Sequence, residues 1–145
     1  MVEFLISDQD QQEIGAGLGI VGTCYGHLFN NQQVRIEIAL VNASEIQLLN
    51  SVHRQIDEPT DVLSFPLYAN LSEIPAEIPI LLGSIVICPE KALQYEESLV
   101  EMVHHGILHL IGEDHETDRT AWDIKEKEAL THLQGSGLRI NAAPR

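Results

Sequence analysis

Three histidines are spaced four and six residues apart within the stretch 98–118, namely His105, His109 and His115. Residues four apart lie one above the other on one face of a helix, so His105 and His109 can direct two imidazole nitrogens at one point. A turn after Gly112 would return His115 as a third donor. Three neutral imidazoles leave one position of a tetrahedral ion open, which is the arrangement of a catalytic zinc site.

Histidines are also concentrated in this stretch. A pair four residues apart arises often by chance and is by itself typical of a solvated helix. Here four of the seven histidines fall within the twelve residues from His104 to His115, which favours a metal site. His104 is rotated by about 100° from His105 on a helix, so we do not expect it to be a ligand.

The spacing H-x-x-x-H-x-x-G-x-x-H is that of the metzincin peptidases, with one residue that does not fit. In zinc peptidases a glutamate directly after the first histidine is the general base, and this chain has Gly106 there. The metal-binding residues of such a site are therefore present, while the peptidase base is absent. The residues predict a zinc hydrolase with different chemistry.

The surrounding sequence indicates the elements that must position these side chains. Ser98 and Glu101 match the capping-box pattern at the start of a helix, and Gly112 is a residue type that ends one. Strands are predicted at residues 2–6, 34–41, 62–65 and 83–88, helices at 11–29, 42–53, 90–95 and 118–133, and a loop at 68–82.

The order of these elements predicts a single small α/β (α+β-like) domain over residues 1–145. We expect a mixed, mostly parallel sheet of about four strands, with helices packed on it and the metal-site helix on one face. Such a length buries roughly 70% of the surface of the unfolded chain. Residues 134–145, after the last predicted helix, are expected to form a loose tail.

Composition limits the classes of function. The net charge is −14, from 22 acidic residues against eight lysines and arginines, so any contact with nucleic acid has to be local. No segment approaches the roughly 18 apolar residues of a membrane span, and the first residues do not form a secretory signal. Cys24 and Cys88 are far apart in the sequence and are expected to be buried thiols. We therefore expect a cytoplasmic protein without membrane contact.

Residues 17–22 spell G-x-G-x-x-G, the pattern of dinucleotide-binding loops. In those loops the glycines directly follow a strand and open a helix. Here ten residues of mostly polar, helix-compatible sequence separate Ile6 from Gly17, so we expect no dinucleotide and no other organic cofactor. The glycines are instead predicted to allow close packing.

Two stretches together resemble a known family. HRQIDEPTDVLSFP, from residue 53, is similar to the family's arginine-containing turn and T-D/N-V-L-S-F-P strand, and HGILHLIGEDH, from residue 105, to its H-G-x-L-H-L-x-G-x-D-H metal motif. LLGSIVIC, between them, resembles its G-D-I-x-I strand, with Ser84 in place of the usual aspartate. The family is that of the YbeY-type rRNA maturation factors, zinc-dependent endoribonucleases. Residues 34–133 carry the resemblance, and residues 1–33 correspond to a variable N-terminal part.

The resemblance implies one zinc ion held by His105, His109 and His115, and an active-site arginine at Arg54. It also implies cleavage of single-stranded RNA, maturation of the 3′ end of small-subunit ribosomal RNA, ribosome quality control, and contact with the small subunit or its proteins. Imidazole ligands also suit other divalent transition metals. On position alone Arg54 is a surface residue at a turn; the resemblance makes it a phosphate-binding residue.

Several alternatives stay open from the residues. Zinc can supply hydroxide from water at neutral pH, or an RNA 2′-hydroxyl can be the nucleophile, and Glu113 and Asp114 are candidates either for proton transfer or for orienting a ligand. A ribosome-assembly factor with a mainly structural zinc would agree with the acidic charge. A metzincin-like metallopeptidase would agree with the ligand spacing alone.

Overall fold

A computed structural model of the chain describes residues 2–26, 29, 32–69, 73–75 and 79–112. The described elements are β1 (Val2–Leu5), α1 (Asp8–Ile14), α2 (Gly17–Gly26), β2 (Val34–Leu40), α3 (Ala43–Arg54), β3 (Val62–Pro66), β4 (Ile80–Ile87), α4 (Pro89–Gln94) and α5 (Leu99–Leu110). The helix predicted for 118–133 and the tail 134–145 lie outside the described residues. Elsewhere the elements follow the predicted order, apart from the two corrections given below.

The four described strands form one sheet in the order β1-β2-β4-β3. β1 is parallel to β2, β2 is parallel to β4, and β3 runs antiparallel to β4. The expected mixed, mostly parallel sheet is therefore confirmed, and β3 is one of its two edge strands. Among the described helices, none is long and apolar enough to cross a membrane.

Helices cover both faces of this sheet. On one face Ile85 and Ile87 of β4 pack into the larger hydrophobic cluster, which includes residues of α1, α2 and α5. On the other face Val86 and Leu63 pack against Ile46 of α3. Successive side chains of a strand point to opposite faces, so a strand with α5 on one side and α3 on the other is apolar along most of its length. The continuous apolar run predicted for β4 has this cause.

The prediction of one helix over residues 11–29 is wrong. The structure has α1 ending at Ile14 and α2 beginning at Gly17, with Gly15 between them at φ 87°. Glycine adopts this left-handed conformation without the steric cost of a Cβ, so the helix ends there. Apolar periodicity alone missed the break because it continues across Gly15. The glycine pattern at residues 17–22 therefore follows a helix and lacks the strand that a dinucleotide loop requires.

The predicted loop over residues 68–82 is too long, because β4 begins at Ile80 rather than at residue 83. Ile80 is in register with Val34 at the start of β2, and Leu81 with Arg35. Residues 80–82 are Ile, Leu and Leu, so the sequence shows no alternation of apolar and polar residues there. In the folded sheet Ile80 and Leu82 are buried and Leu81 is exposed. Tertiary pairing with β2 defines this end of the strand.

Candidate metal centre

Helix α5 carries the predicted metal-binding pair, and its ends are those expected from the sequence. The Ser98 hydroxyl accepts a hydrogen bond from the Glu101 backbone N–H at 3.1 Å, which caps the first turn. At the other end Gly112 has φ 91° and donates its N–H to the His109 carbonyl at 3.1 Å. The helix start at Ser98 and the glycine stop at Gly112 are both confirmed, and they determine where along the chain His105 and His109 sit in the helix.

Gly106, in place of the peptidase glutamate, packs closely against the sheet. A Cβ atom built on Gly106 would lie 2.7 to 2.9 Å from three side-chain atoms of Ile85 in β4. The Ser64 hydroxyl of β3 donates to the Gly106 carbonyl at 3.4 Å, a long hydrogen bond. A glutamate at this position would have to displace the Ile85 side chain. The absence of the base therefore follows from packing in this fold.

The imidazoles of His105 and His109 converge. Their Nε2 atoms are 3.2 Å apart, and their ring centroids are separated by 4.9 Å with the rings inclined at 62°. Two nitrogens bound to one zinc at the usual bond length of about 2.0–2.1 Å in tetrahedral geometry lie about 3.3 Å apart. The observed separation agrees with that value, so the pair fits a shared metal ion.

The surroundings of the pair also favour a cation. His105 is 8% exposed and His109 is half-buried, so water competes little for the nitrogens. His109 belongs to the last turn of α5, where the helix dipole places partial negative charge. The helix dipole stabilises a positively charged ion at this end of the helix.

A third donor to the pair is not present among the described residues. Within residues 2–26, 29, 32–69, 73–75 and 79–112, no three His, Cys, Asp or Glu side chains form a group that could hold a metal. His115, the predicted third ligand, lies outside that set, as do Glu113 and Asp114. The described part of the site is therefore a pair of imidazoles at the end of α5.

His104, the neighbour of the pair, belongs to the core. It is 4% exposed, and its Nδ1 shares a hydrogen bond of 2.5 Å with the hydroxyl of Tyr25 in α2. Its Nε2 has no hydrogen-bond partner among the described residues. Burial lowers the pKa of His104 from 6.5 to about 4, because the charged form loses its hydration. A neutral imidazole therefore joins α2 to the metal helix.

Arg54 is the last residue of α3, and its side chain is exposed. Gln55 follows at φ 60° and closes the helix by donating its N–H to the Ser51 carbonyl at 3.1 Å. Among the described residues, Arg54 forms no hydrogen bond or ion pair. The structure thus presents a guanidinium to solvent at the end of a helix that packs on β3.

The edge strand β3 connects the helix of Arg54 to the helix of the histidine pair. Ser64 contacts α5 through the Gly106 carbonyl. The next residue, Phe65, points to the opposite face and contacts the ring of His53 in α3, with ring centroids 4.8 Å apart in an edge-to-face arrangement. Adjacent residues of one strand therefore contact the two helices that carry the predicted site.

The sequence alone did not predict the contacts that Tyr25, Ser64 and Phe65 make around the site. Nothing in the local pattern relates Tyr25 to His104, which is 79 residues away along the chain. Ser64 carried a weak signal, because a polar residue within an otherwise apolar predicted strand commonly has a hydrogen-bond partner. Only the register of β3 with β4 shows which face each residue occupies.

Comparison with known proteins agrees with these observations. The family model described as Endoribonuclease YbeY matches residues 18–134. The endoribonuclease YbeY of Aliarcobacter butzleri is 44% identical over 103 residues, which is 66% of this chain and 70% of that protein. The endoribonuclease YbeY of Finegoldia magna is 36% identical over 141 residues, 90% of this chain and 88% of that protein.

A solved structure supports the fold alone. The solution structure of TM1509 from Thermotoga maritima has a TM-score of 0.54 and 24% sequence identity, and the match covers 94% of this chain and 92% of that one. The family resemblance inferred from two sequence motifs is confirmed by the match over residues 18–134 and by the relatives above. This chain belongs to the endoribonuclease YbeY family, a family of hydrolases that cleave RNA internally.

Proposed function

We propose that this protein is a metal-dependent endoribonuclease that cleaves single-stranded RNA. The observation that carries the proposal is the 3.2 Å separation of the His105 and His109 Nε2 atoms, which suits two ligands of one ion. Family membership supports the RNA substrate. We further propose that the substrate is ribosomal RNA in the maturation of the small-subunit 3′ end and in ribosome quality control, in the cytoplasm and in contact with the small subunit or its proteins.

His105, His109 and His115 are the proposed ligands of one zinc ion. His115 is three residues beyond Gly112, and three residues span at most about 11 Å, a distance that permits a return to the helix end. When bound, the ion supplies Lewis acidity toward water or a phosphoryl oxygen. Other divalent transition metals suit the same imidazole ligands, and metal analysis of the purified protein distinguishes them.

Arg54 is the proposed phosphate-binding residue. Its planar guanidinium can donate two parallel hydrogen bonds to phosphate oxygens and can offset the negative charge that develops on phosphorus. The exposed position and the lack of a partner among the described residues leave the group available to a substrate. A lysine offers a point charge without this bidentate geometry, so Arg54→Lys would restore less activity than charge alone predicts.

The nucleophile is either water or the 2′-hydroxyl of the substrate. Attack by the 2′-hydroxyl breaks the bond to the 5′ oxygen and leaves a 2′,3′-cyclic phosphate, whereas attack by water leaves a terminal phosphate monoester. The Glu113 and Asp114 carboxylates are candidates for proton transfer or for orienting His115. Analysis of the product ends separates the two routes.

A second candidate is a ribosome-assembly factor in which zinc is mainly structural. The net charge of −14 favours it, because an acidic surface repels RNA phosphates and suits basic protein partners. In that case a fourth protein ligand would complete the metal shell. The peptidase alternative is weaker, because position 106 has no room for the glutamate that such an enzyme uses.

The deciding experiment is cleavage of a single-stranded ribosomal RNA fragment by the metal-loaded protein. His109→Ala and Arg54→Ala variants are purified in the same way, and their folding is compared by circular dichroism. We expect the wild type to cut the RNA and both variants to fail. Of the two variants, only Arg54→Ala should retain the metal. Equal cleavage by all three proteins would show a contaminating nuclease and would favour the assembly factor.

A further inference from the structure

An aromatic pair lies beside Arg54 on the face of β3 that points away from the metal helix. The ring of His53, in the last turn of α3, contacts the ring of Phe65 with centroids 4.8 Å apart and planes inclined at 68°. His53 is exposed and Phe65 is half-buried, so both rings retain surface in contact with solvent. We propose that His53 and Phe65 form a stacking site for one nucleobase of a single-stranded RNA.

The aromatic pair packs on the hydrophobic core through Phe65 and is exposed to solvent at His53. Phe65 packs against the small cluster beneath α3, which consists of Ile46, Leu63, Val86 and Cys88. This contact holds the phenyl ring in place, so little conformational entropy is lost when a ligand binds. His53 approaches Phe65 from α3, and its exposed side faces solvent. A rigid aromatic ring with an accessible surface is what a nucleobase requires for stacking.

The charge of the protein favours a contribution of this kind to RNA binding. With eight lysines and arginines against 22 acidic residues, the protein has few cations with which to neutralise successive phosphates of an RNA. Stacking acts on the uncharged part of each nucleotide and does not depend on a basic surface. Binding through a few bases, with one cation at a phosphate, reconciles an acidic protein with an RNA substrate.

The neighbouring residues assign bases and phosphates to different places. Ser84 is the register partner of Phe65 and of Glu37, so all three lie on the same face of the sheet. The Ser84 hydroxyl donates to the Glu37 carboxylate at 3.0 Å, and this exposed carboxylate disfavours a phosphate above the sheet. Arg54, next to His53 in the chain, supplies the nearby cation. Bases are therefore favoured over the sheet and a phosphate is favoured beside Arg54.

The stacking site and the proposed cleavage centre lie on opposite faces of the same edge strand. Ser64, adjacent to Phe65, contacts the Gly106 carbonyl of the helix that carries His105 and His109. An RNA strand that follows the outer edge of β3 meets the aromatic pair on one face and the end of α5 on the other. The inference rests on the proposed function, because it names a substrate-binding part of that same site.

The test measures whether the loss of affinity caused by removing one nucleobase depends on the aromatic pair. A short single-stranded RNA that the wild type cleaves is synthesised with an abasic nucleotide at each position in turn. Affinities are measured by fluorescence anisotropy with full-length His109→Ala protein, which is expected not to cut, alone and combined with Phe65→Leu or His53→Leu. Leu67→Ala, at an exposed apolar position just beyond the same strand, is the matched control.

We expect removal of one particular base to weaken binding to the His109→Ala protein by about tenfold. Phe65→Leu should weaken binding of the intact RNA by a similar factor and should abolish the effect of removing that base. Phe65→Tyr and His53→Tyr, which keep an aromatic ring, should retain most of the affinity. Leu67→Ala should leave the abasic effect unchanged.

Two outcomes overturn the inference, and they differ from failure of the proposed function. If Phe65→Leu weakens intact and abasic RNA equally at every position, the residue acts through folding rather than stacking. If no single base affects binding although the wild type cleaves the RNA, the stacking site is wrong while the nuclease stands. If the wild type neither binds nor cleaves single-stranded RNA, the proposed function fails and the stacking site fails with it.

Discussion

Gly106 of α5 lies directly against Ile85 of β4, with three Ile85 side-chain atoms within 2.9 Å of where a Cβ would stand. This contact sets how closely the metal helix approaches the sheet. It also explains the one departure from the peptidase pattern, because any side chain at position 106 would meet Ile85. Several measurable consequences arise from this contact and from the packing around α5.

Gly106→Ala is predicted to destabilise the protein. The added methyl group overpacks the contact with Ile85, which costs about 1–3 kcal/mol, while the gain in helix propensity returns about 1 kcal/mol. We expect a net loss of up to about 2 kcal/mol in the free energy of unfolding, measured by urea denaturation. Gly106→Glu should lose more and should gain no peptidase activity.

Two control variants make the prediction on Gly106 specific. Gly19 is in the exposed part of α2, where a Cβ would meet nothing within 4 Å, so Gly19→Ala should be neutral or stabilising by up to about 1 kcal/mol. Ile85→Val combined with Gly106→Ala should recover part of the loss, because the valine removes one of the clashing atoms. Additive losses in the double variant would contradict the steric explanation.

Zinc is predicted to raise the melting temperature of the wild type through the histidine pair. A ligand that binds only the folded state stabilises it by about 2.7 kcal/mol when present at about 100 times its dissociation constant. His105→Ala and His109→Ala should lose this stabilisation, and Arg54→Ala should retain it. Melting temperatures with zinc and with a chelator provide the measurement. The same zinc effect in both histidine variants would place the ion elsewhere.

Tyr25→Phe is predicted to destabilise the junction between α2 and α5. It removes the hydroxyl that shares a hydrogen bond with His104 Nδ1 in the core and leaves that nitrogen without its partner. An unsatisfied buried polar group costs about 1–3 kcal/mol, which urea denaturation resolves.

The stability of the metal-free protein is predicted to fall as the pH is lowered from about 6.5 to about 4. Burial lowers the pKa of His104 to about 4 in the folded protein, against 6.5 when it is exposed. Between these values the unfolded chain binds a proton that the folded chain does not, so acid favours unfolding. The stability that the neutral His104 contributes is fully present above pH 6.5. Lowering the pH from 6.5 to about 4 removes about 3 kcal/mol of the free energy of unfolding.

The measurement compares wild type with His104→Gln in urea at about pH 7 and about pH 5, with chelator in every sample so that metal release does not contribute. The glutamine does not titrate but can still accept a hydrogen bond from Tyr25. The wild type should lose about 2 kcal/mol more than the variant between these two pH values. Equal losses would assign the acid sensitivity to other groups.

Local features of the sequence determined the position and the limits of the metal helix. Ser98 and Gly112 act within one turn of their own positions, through a side-chain cap and a left-handed residue, and both are found as predicted. The convergence of His105 and His109 follows from the helical repeat alone. The strand β2 and the helix cap at Asn42 were likewise predicted from short contiguous segments. The family was recognised from motifs of the same kind.

Interactions between distant segments decided the rest. The start of β4 at Ile80 and the pairing of Tyr25 with His104 have no complete signal in the local pattern. The sequence supplied the types and spacing of the chemical groups, because helix geometry and capping act over a few residues. Only the tertiary structure decided which groups face one another, since strand register and close packing join residues that are far apart along the chain.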